Sequence, residues 1–157
     1  MNIDQQENST IQRWVILVAL ALCASTSAFG QVKLVTEEEF RASAAAPMLL
    51  PRATSVPGAP QIEIISPDTK GVITSPTKVQ LHFRAVPPAT PKPESFRALY
   101  GSFRLDITGR LLKLAKLTAE GLTLENASLP SGSHRIFLEI QDSVGRTGSQ
   151  VLAITVR

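Results

Sequence analysis

Alternation of apolar and polar side chains dominates the second half of the chain. "KVQLHFRA" puts Val79, Leu81, Phe83 and Ala85 on one face and Lys78, Gln80, His82 and Arg84 on the other, the pattern of a strand with one buried and one wet side. "HRIFLEIQ" repeats it with Ile136, Leu138 and Ile140 inward, "QVLAITVR" with Leu152, Ile154 and Val156, and "QIEII" with Ile62 and Ile64. Between the last two long strands "DSVGRTG" supplies Asp142, Gly145 and Gly148 for a turn, which predicts an antiparallel hairpin. "ESFRALYGSFRLDIT" reads as one strand from Phe96 to Tyr100 and a second around Phe103 to Ile107, broken at Gly101, and "GLTLENASLP" as a further strand from Leu122 to Asn126. In "GRLLKLAKLTAEG", Leu111, Leu114, Ala115 and Thr118 have helical spacing, whereas Leu112 and Leu114 alternate with lysines as a strand would; a short helical crossing is the reading adopted. About seven short strands separated by Pro and Gly, with no long helical pattern, predict an all-β fold, an antiparallel sandwich.

The first half is organised differently. A polar start, "MNIDQQENSTIQR", leads into the apolar "WVILVALALCA" and the small-residue run "STSAFG", the order of a secretory signal over residues 1–30 with Gln31 as the new N-terminus. Only Arg13 precedes the apolar run as a positive charge, so an uncleaved anchor in the inner membrane is the alternative; the uncharged stretch from Trp14 to Gly30 is short of the about twenty apolar residues a spanning helix needs. Lipidation at Cys23 is a third option, set against Leu22, which stands where a small residue is usual. Residues 31–59 then hold a capping-box pattern, Thr36 with Glu39 three positions on, which predicts a helix from Glu37 to Ala46 ended by Pro47. "PMLLPRATSVPGAP" follows with four prolines, a composition of extended linker, and places the domain boundary near Pro60, so that the sandwich covers 60–157.

Composition narrows the chemistry. The chain has 43% hydrophobic and 18% charged residues, ordinary for one globular domain. Cys23 is the one cysteine and lies in the signal, so the mature chain lacks disulfides, a thiol nucleophile and thiolate metal ligands. Removing Arg13, Asp4 and Glu7 with the signal leaves 15 basic and 11 acidic side chains, a formal charge of +4. The basic residues are scattered singly without interleaved aromatics, which argues against nucleic acid as a partner.

The succession "ISPDTKGVITSPTKVQLHF", "LPSGSHRIFLEIQDSVGRTG" and a final alternating strand resembles the bacterial immunoglobulin-like domains, related to fibronectin-III-like ones, of secreted and envelope proteins. The resemblance covers Pro60 to Arg157 and implies an Ig-like β-sandwich; its motif is Leu-Pro-x-Gly before a strand that ends in Asp-x-x-Gly. The chain departs from the pattern in having no Cys…Trp…Cys core and no tyrosine near the start of the penultimate strand to form the usual corner.

Candidate chemistry is sparse. His82 and His134 are the two histidines, and neither is accompanied by a Gly-x-Ser-x-Gly elbow; both read as surface residues. Glu37, Glu38 and Glu39 fit as partners of a helix dipole, and Asp68, Asp106 and Asp142 as turn residues that bond the backbone two positions on. "SPDTKGVITSPTKVQLHF" also resembles the start of periplasmic copper-resistance carriers, which implies histidine ligands at the mature N-terminus and in the penultimate turn; here Gln31 and "DSVGRTG" occupy those places, leaving His82, His134 and Met48 as scattered donors. Neither phosphate-cradling glycine motif occurs. The insertion "VPPATPKPES" reads as a stiff exposed loop that blunts an edge. Together these features predict a periplasmic or secreted, non-catalytic module without a catalytic site, a metal site or a cofactor, which binds or spaces an envelope protein or glycan and has no membrane span once the signal is removed; a copper-carrier-like protein is the alternative.

Overall fold

The computed structural model describes residues 33–46 and 56–157. The signal segment, Cys23, Gln31, Met48 and most of the proline-rich linker lie outside the described residues. The described residues belong to one compact unit.

Its elements in order are α1 (Glu37–Ala45), β1 (Gln61–Ser66), β2 (Val72–Ile73), β3 (Thr77–Arg84), β4 (Pro91–Tyr100), β5 (Leu105–Asp106), α2 (Thr108–Leu114), β6 (Lys116–Leu117), β7 (Gly121–Ala127), β8 (Gly132–Asp142) and β9 (Thr147–Val156). They make two sheets, β1-β3-β7-β6 and β2-β9-β8-β4-β5. Neighbours run antiparallel, except that β2 lies parallel to β9. The protein is an all-β sandwich.

Apolar faces meet between the sheets as the alternation predicts. Val79, Leu81 and Phe83 of β3 and Leu122 and Leu124 of β7 face Ile136, Leu138 and Ile140 of β8 and Leu152, Ile154 and Val156 of β9, all buried. Ile62 is buried and Ile64 packs partly buried against the same core, while Ala85 falls just beyond β3 and is half-buried. At about 25 cal/mol per Å² of apolar surface, such a cluster is the main stabilising term. The predicted helix forms over Glu37–Ala45 with both halves of the Thr36/Glu39 capping box. The crossing after β5 is helical, as α2, with Leu111 as its buried residue and Leu112 and Leu114 exposed.

Three expectations need correction. Nine strands are present among the described residues rather than about seven, because β2 and β6 have two residues each, too few to show an alternation. "VPPATPKPES" is not simply a loop: Pro91–Ser95 form the first half of β4, and Ala89 is buried. The ladder tolerates the prolines because β4 carries a register shift between Lys92 and Arg97, where Ser95 Oγ donates to the Lys92 carbonyl (2.6 Å) and accepts from the Gln141 amide (2.8 Å). Nor does the core begin at Pro60. Leu34 and Val35 are fully buried in it, with the Leu34 amide bonded to the Ser128 carbonyl at 3.2 Å. Val35 precedes the N-cap and Phe40 is the fourth helical residue, the two positions of a hydrophobic staple, so α1 is seated on the sandwich rather than hung from a linker.

Candidate functional site

The best-organised polar cluster of the described residues gathers where α1 crosses the start of β8. Strand period sets its central residue: His134 shares parity with Ile136, Leu138 and Ile140, so it points inward and is 1% exposed. This overturns the expectation of two surface histidines. His134 Nε2 lies 2.7 Å from the Pro130 carbonyl and Nδ1 lies 2.8 Å from Tyr100 Oη. A carbonyl only accepts, so Nε2 carries the proton and donates it, and Nδ1 accepts from the Tyr100 hydroxyl. Both ring nitrogens of a neutral imidazole are thereby consumed.

The remaining walls come from three elements. Tyr100 ends β4 and is itself buried, its ring 5.9 Å from the imidazole. Phe40 of α1 lies on another side with ring centroids 5.0 Å apart. Gly132 holds φ +134°, and a methyl group there would run into the Phe40 ring, so glycine is required both by conformation and by space. A concavity of about 490 Å³ opens beside the cluster, lined by Phe40, Ser43, Tyr100, His134, Phe137 and Thr155 among others.

Polar bonds clamp α1 in place. Glu39, whose carboxylate accepts from the Thr36 amide (2.9 Å), also accepts two bonds from Arg110 of α2, at 2.6 and 2.7 Å. These charge-assisted bonds from Arg110 outweigh the opposing effect of burial and hold the Glu39 carboxyl at about 2. Ser43 accepts from the Ser102 amide through its hydroxyl (3.2 Å) and from the Ser102 hydroxyl through its carbonyl (3.3 Å). Burial, reinforced by the nearby negative Glu39, pushes the Tyr100 phenol up to about 12. Burial also drives His134 below the ordinary histidine value, against the smaller opposing pull of the Pro130 carbonyl and Glu37.

The other predicted residues fall elsewhere. His82 projects from the outer face of β3, its side chain 43% exposed, with Nδ1 3.4 Å from Glu63 Oε2; Arg84 Nε reaches the same oxygen at 3.1 Å. Asp68 accepts from the Lys70 amide and Asp106 from the Thr108 amide, each two residues on. Asp142 is fully buried and accepts from the Val144 amide, the Arg146 amide and Arg146 Nε at 2.7 Å. Burial alone would raise its carboxyl; those three donors bring it below the usual range instead. Gly145, at φ +84°, makes the turn, but Gly148 does not: it lies in β9, where its missing side chain lets the Pro60 carbonyl approach.

The described residues bring no two of the expected metal donors together. His82 and His134 are on opposite sides of a sheet sandwich, one outside and one within, and the imidazole of His134 has no lone pair left for a cation. Among the described residues no group of three or more His, Cys, Asp or Glu is arranged to hold a metal ion. Burial of His134 was readable from strand parity; the Glu39–Arg110 clamp, across 71 positions of sequence, was not.

Comparison with known proteins gives little more. No family model matches the chain, and no curated protein matches it. Among solved structures it is similar to CopC from Methylosinus trichosporium OB3b, at 20% identity over 60% of this chain and 92% of that one, with a TM-score of 0.41.

Proposed function

We propose that this chain is an exported, non-catalytic Ig-like module that binds or spaces a partner, an envelope protein or glycan, in the periplasm or outside the cell. What supports the Ig-like assignment is strand order: β1-β3-β7-β6 corresponds to A-B-E-D, and β2-β9-β8-β4-β5 to a G-F-C sheet extended by one strand at each edge. A second support is the corner before β8. In Ig sandwiches a tyrosine near the start of that strand bonds the backbone a few residues upstream. Here His134 bonds the carbonyl of Pro130, four residues upstream, and supplies the corner that the absence of tyrosine had argued against.

The single observation that supports the non-catalytic part of the reading is the internal bonding of the His134 cluster. Both imidazole nitrogens, the phenol hydrogen and both Glu39 oxygens are engaged by internal partners, which is the behaviour of a structural joint and not of a base awaiting a substrate. Export rests on the order of polar start, apolar run and small residues over 1–30. No helix of the described residues is long and apolar enough to cross a membrane.

Cross-linking the tagged full chain in the producing cells tests the reading. Discrete adducts in the envelope fraction are the expected result. Recovery of the chain alone, together with no retention on immobilised envelope polysaccharide, would sink it.

A further inference from the structure

We propose that His134 is an acid-operated latch for α1: protonation of the buried imidazole releases the helix from the sandwich and opens the concavity beneath it. The inference deepens the reading of an exported module, since a compartment open to the surroundings follows ambient pH.

Geometry carries the argument. Neutral His134 satisfies both of its partners with one arrangement of protons, Nε2 donating to Pro130 and Nδ1 accepting from Tyr100. A second proton must go on Nδ1, where it meets the Tyr100 hydroxyl hydrogen head-on. That hydroxyl has then to turn and accept, and a cation is left in a site 1% exposed against the Phe40 ring. Moving α1 away lifts Phe40 off the imidazole and admits water, so the released state takes up the proton nearer the ordinary histidine value than the docked state does.

The charged groups around the site bear on the direction. From α1, Glu37 favours the imidazolium, but its attraction is outweighed by burial. Glu39, also on α1, is held by Arg110 of α2 and acts on Tyr100. Tyr100 of β4 stays protonated far above neutral pH. Arg135 follows His134 on β8, and Asp68, beside the Thr69 that lines the concavity, is bonded to the Lys70 amide. The docked state therefore resists the proton that the released state accepts below about 6.5. Stability of docking is fully present above that value and falls as pH drops toward the lower value of the docked state. Across that window the ratio of released to docked helix rises by up to about tenfold per pH unit.

The test uses the full-length chain with Cys23→Ser and a spin label at Ala42→Cys, an exposed position of α1. Label mobility is expected to rise between pH 7 and 4. His134→Tyr, which rebuilds the corner without a group that titrates there, is expected to abolish that rise, while Glu39→Gln loosens the helix at every pH and moves the release midpoint to higher pH. A label that stays immobile throughout, or a transition that persists in His134→Tyr, overturns the latch. Should His134→Tyr fail to fold, the imidazole resonance of His134 in the spin-labelled parent serves instead: its titration must coincide with helix release, and a separate midpoint overturns the proposal. All of these readouts are taken on purified protein, so absence of an envelope partner would remove the binding reading and leave the latch standing, and the reverse.

Discussion

His82 and His134 are the same residue in strands of the same sandwich, and their surroundings could hardly differ more. His82 stands on the outer face of β3 among Glu63 and Arg84, nearly half exposed, at 3.4 Å from its carboxylate. His134 stands on the inner face of β8, closed in by Phe40 and Tyr100, with a bond on each nitrogen shorter than 2.9 Å. The chemistry of an imidazole is thus decided by one step of strand parity and by what covers the strand's end. On the outer face solvent supplies whatever the neighbours do not; inside, every proton has one place to be.

Alanine at each position sharpens the contrast most. His134→Ala strands the Tyr100 hydroxyl and the Pro130 carbonyl and leaves a hole beside Phe40, and is expected to cost about 3 kcal/mol. His82→Ala removes an exposed contact and is expected to stay within about 0.5 kcal/mol. Urea unfolding of both variants at pH 7.5 measures the difference; equal losses would mean that the inner histidine is no joint at all.

The same parity explains what the sequence allowed to be read. Long alternations made β3, β8 and β9 legible residue by residue, down to Leu152, Ile154 and Val156. His134 belongs to the β8 alternation, and its burial follows once the period is extended two residues upstream of Ile136. The seating of α1 was partly legible too, since Val35 and Phe40 flank the Thr36/Glu39 box. Pairs set by tertiary geometry left no local trace. Glu39 meets Arg110, and Ser43 meets Ser102, because two helices and a turn converge at one end of the sandwich. The prolines of β4 misled for a different reason: Ser95 repairs the ladder at a bulge, and a bulge has no period.

Tyr100→Phe probes the inner site more gently. The substitution keeps the ring and deletes the donor to His134 Nδ1, for an expected loss of about 1 kcal/mol at neutral pH. It also changes the alkaline limb. The phenol sits at about 12 in the folded protein and near 10 when unfolded, so the protonated form contributes stability that is complete below pH 10 and disappears as pH rises from 10 to 12. Unfolding curves of the parent should therefore weaken across that range more steeply than those of Tyr100→Phe. Parallel limbs would show that the hydroxyl is not confined as its 2.8 Å bond requires.

The smallest expected effect belongs to the outer face. Glu63 receives Arg84 at 3.1 Å and His82 at 3.4 Å, yet all three side chains are 39 to 60% exposed. Water competes for each charge and mobile ions screen the pair, so Glu63→Gln is expected to cost no more than about 0.5 kcal/mol in low salt. In 1 M salt the remaining difference should vanish, because the Debye length shrinks to about 3 Å. Glu39→Gln, which removes the carboxylate clamped by Arg110, should retain most of its loss under the same salt, since that pair is shorter and its Glu39 side chain is 21% exposed. Comparable salt sensitivity of the two variants would erase the distinction between a solvated face and a built joint, and with it the reason for treating the two histidines differently.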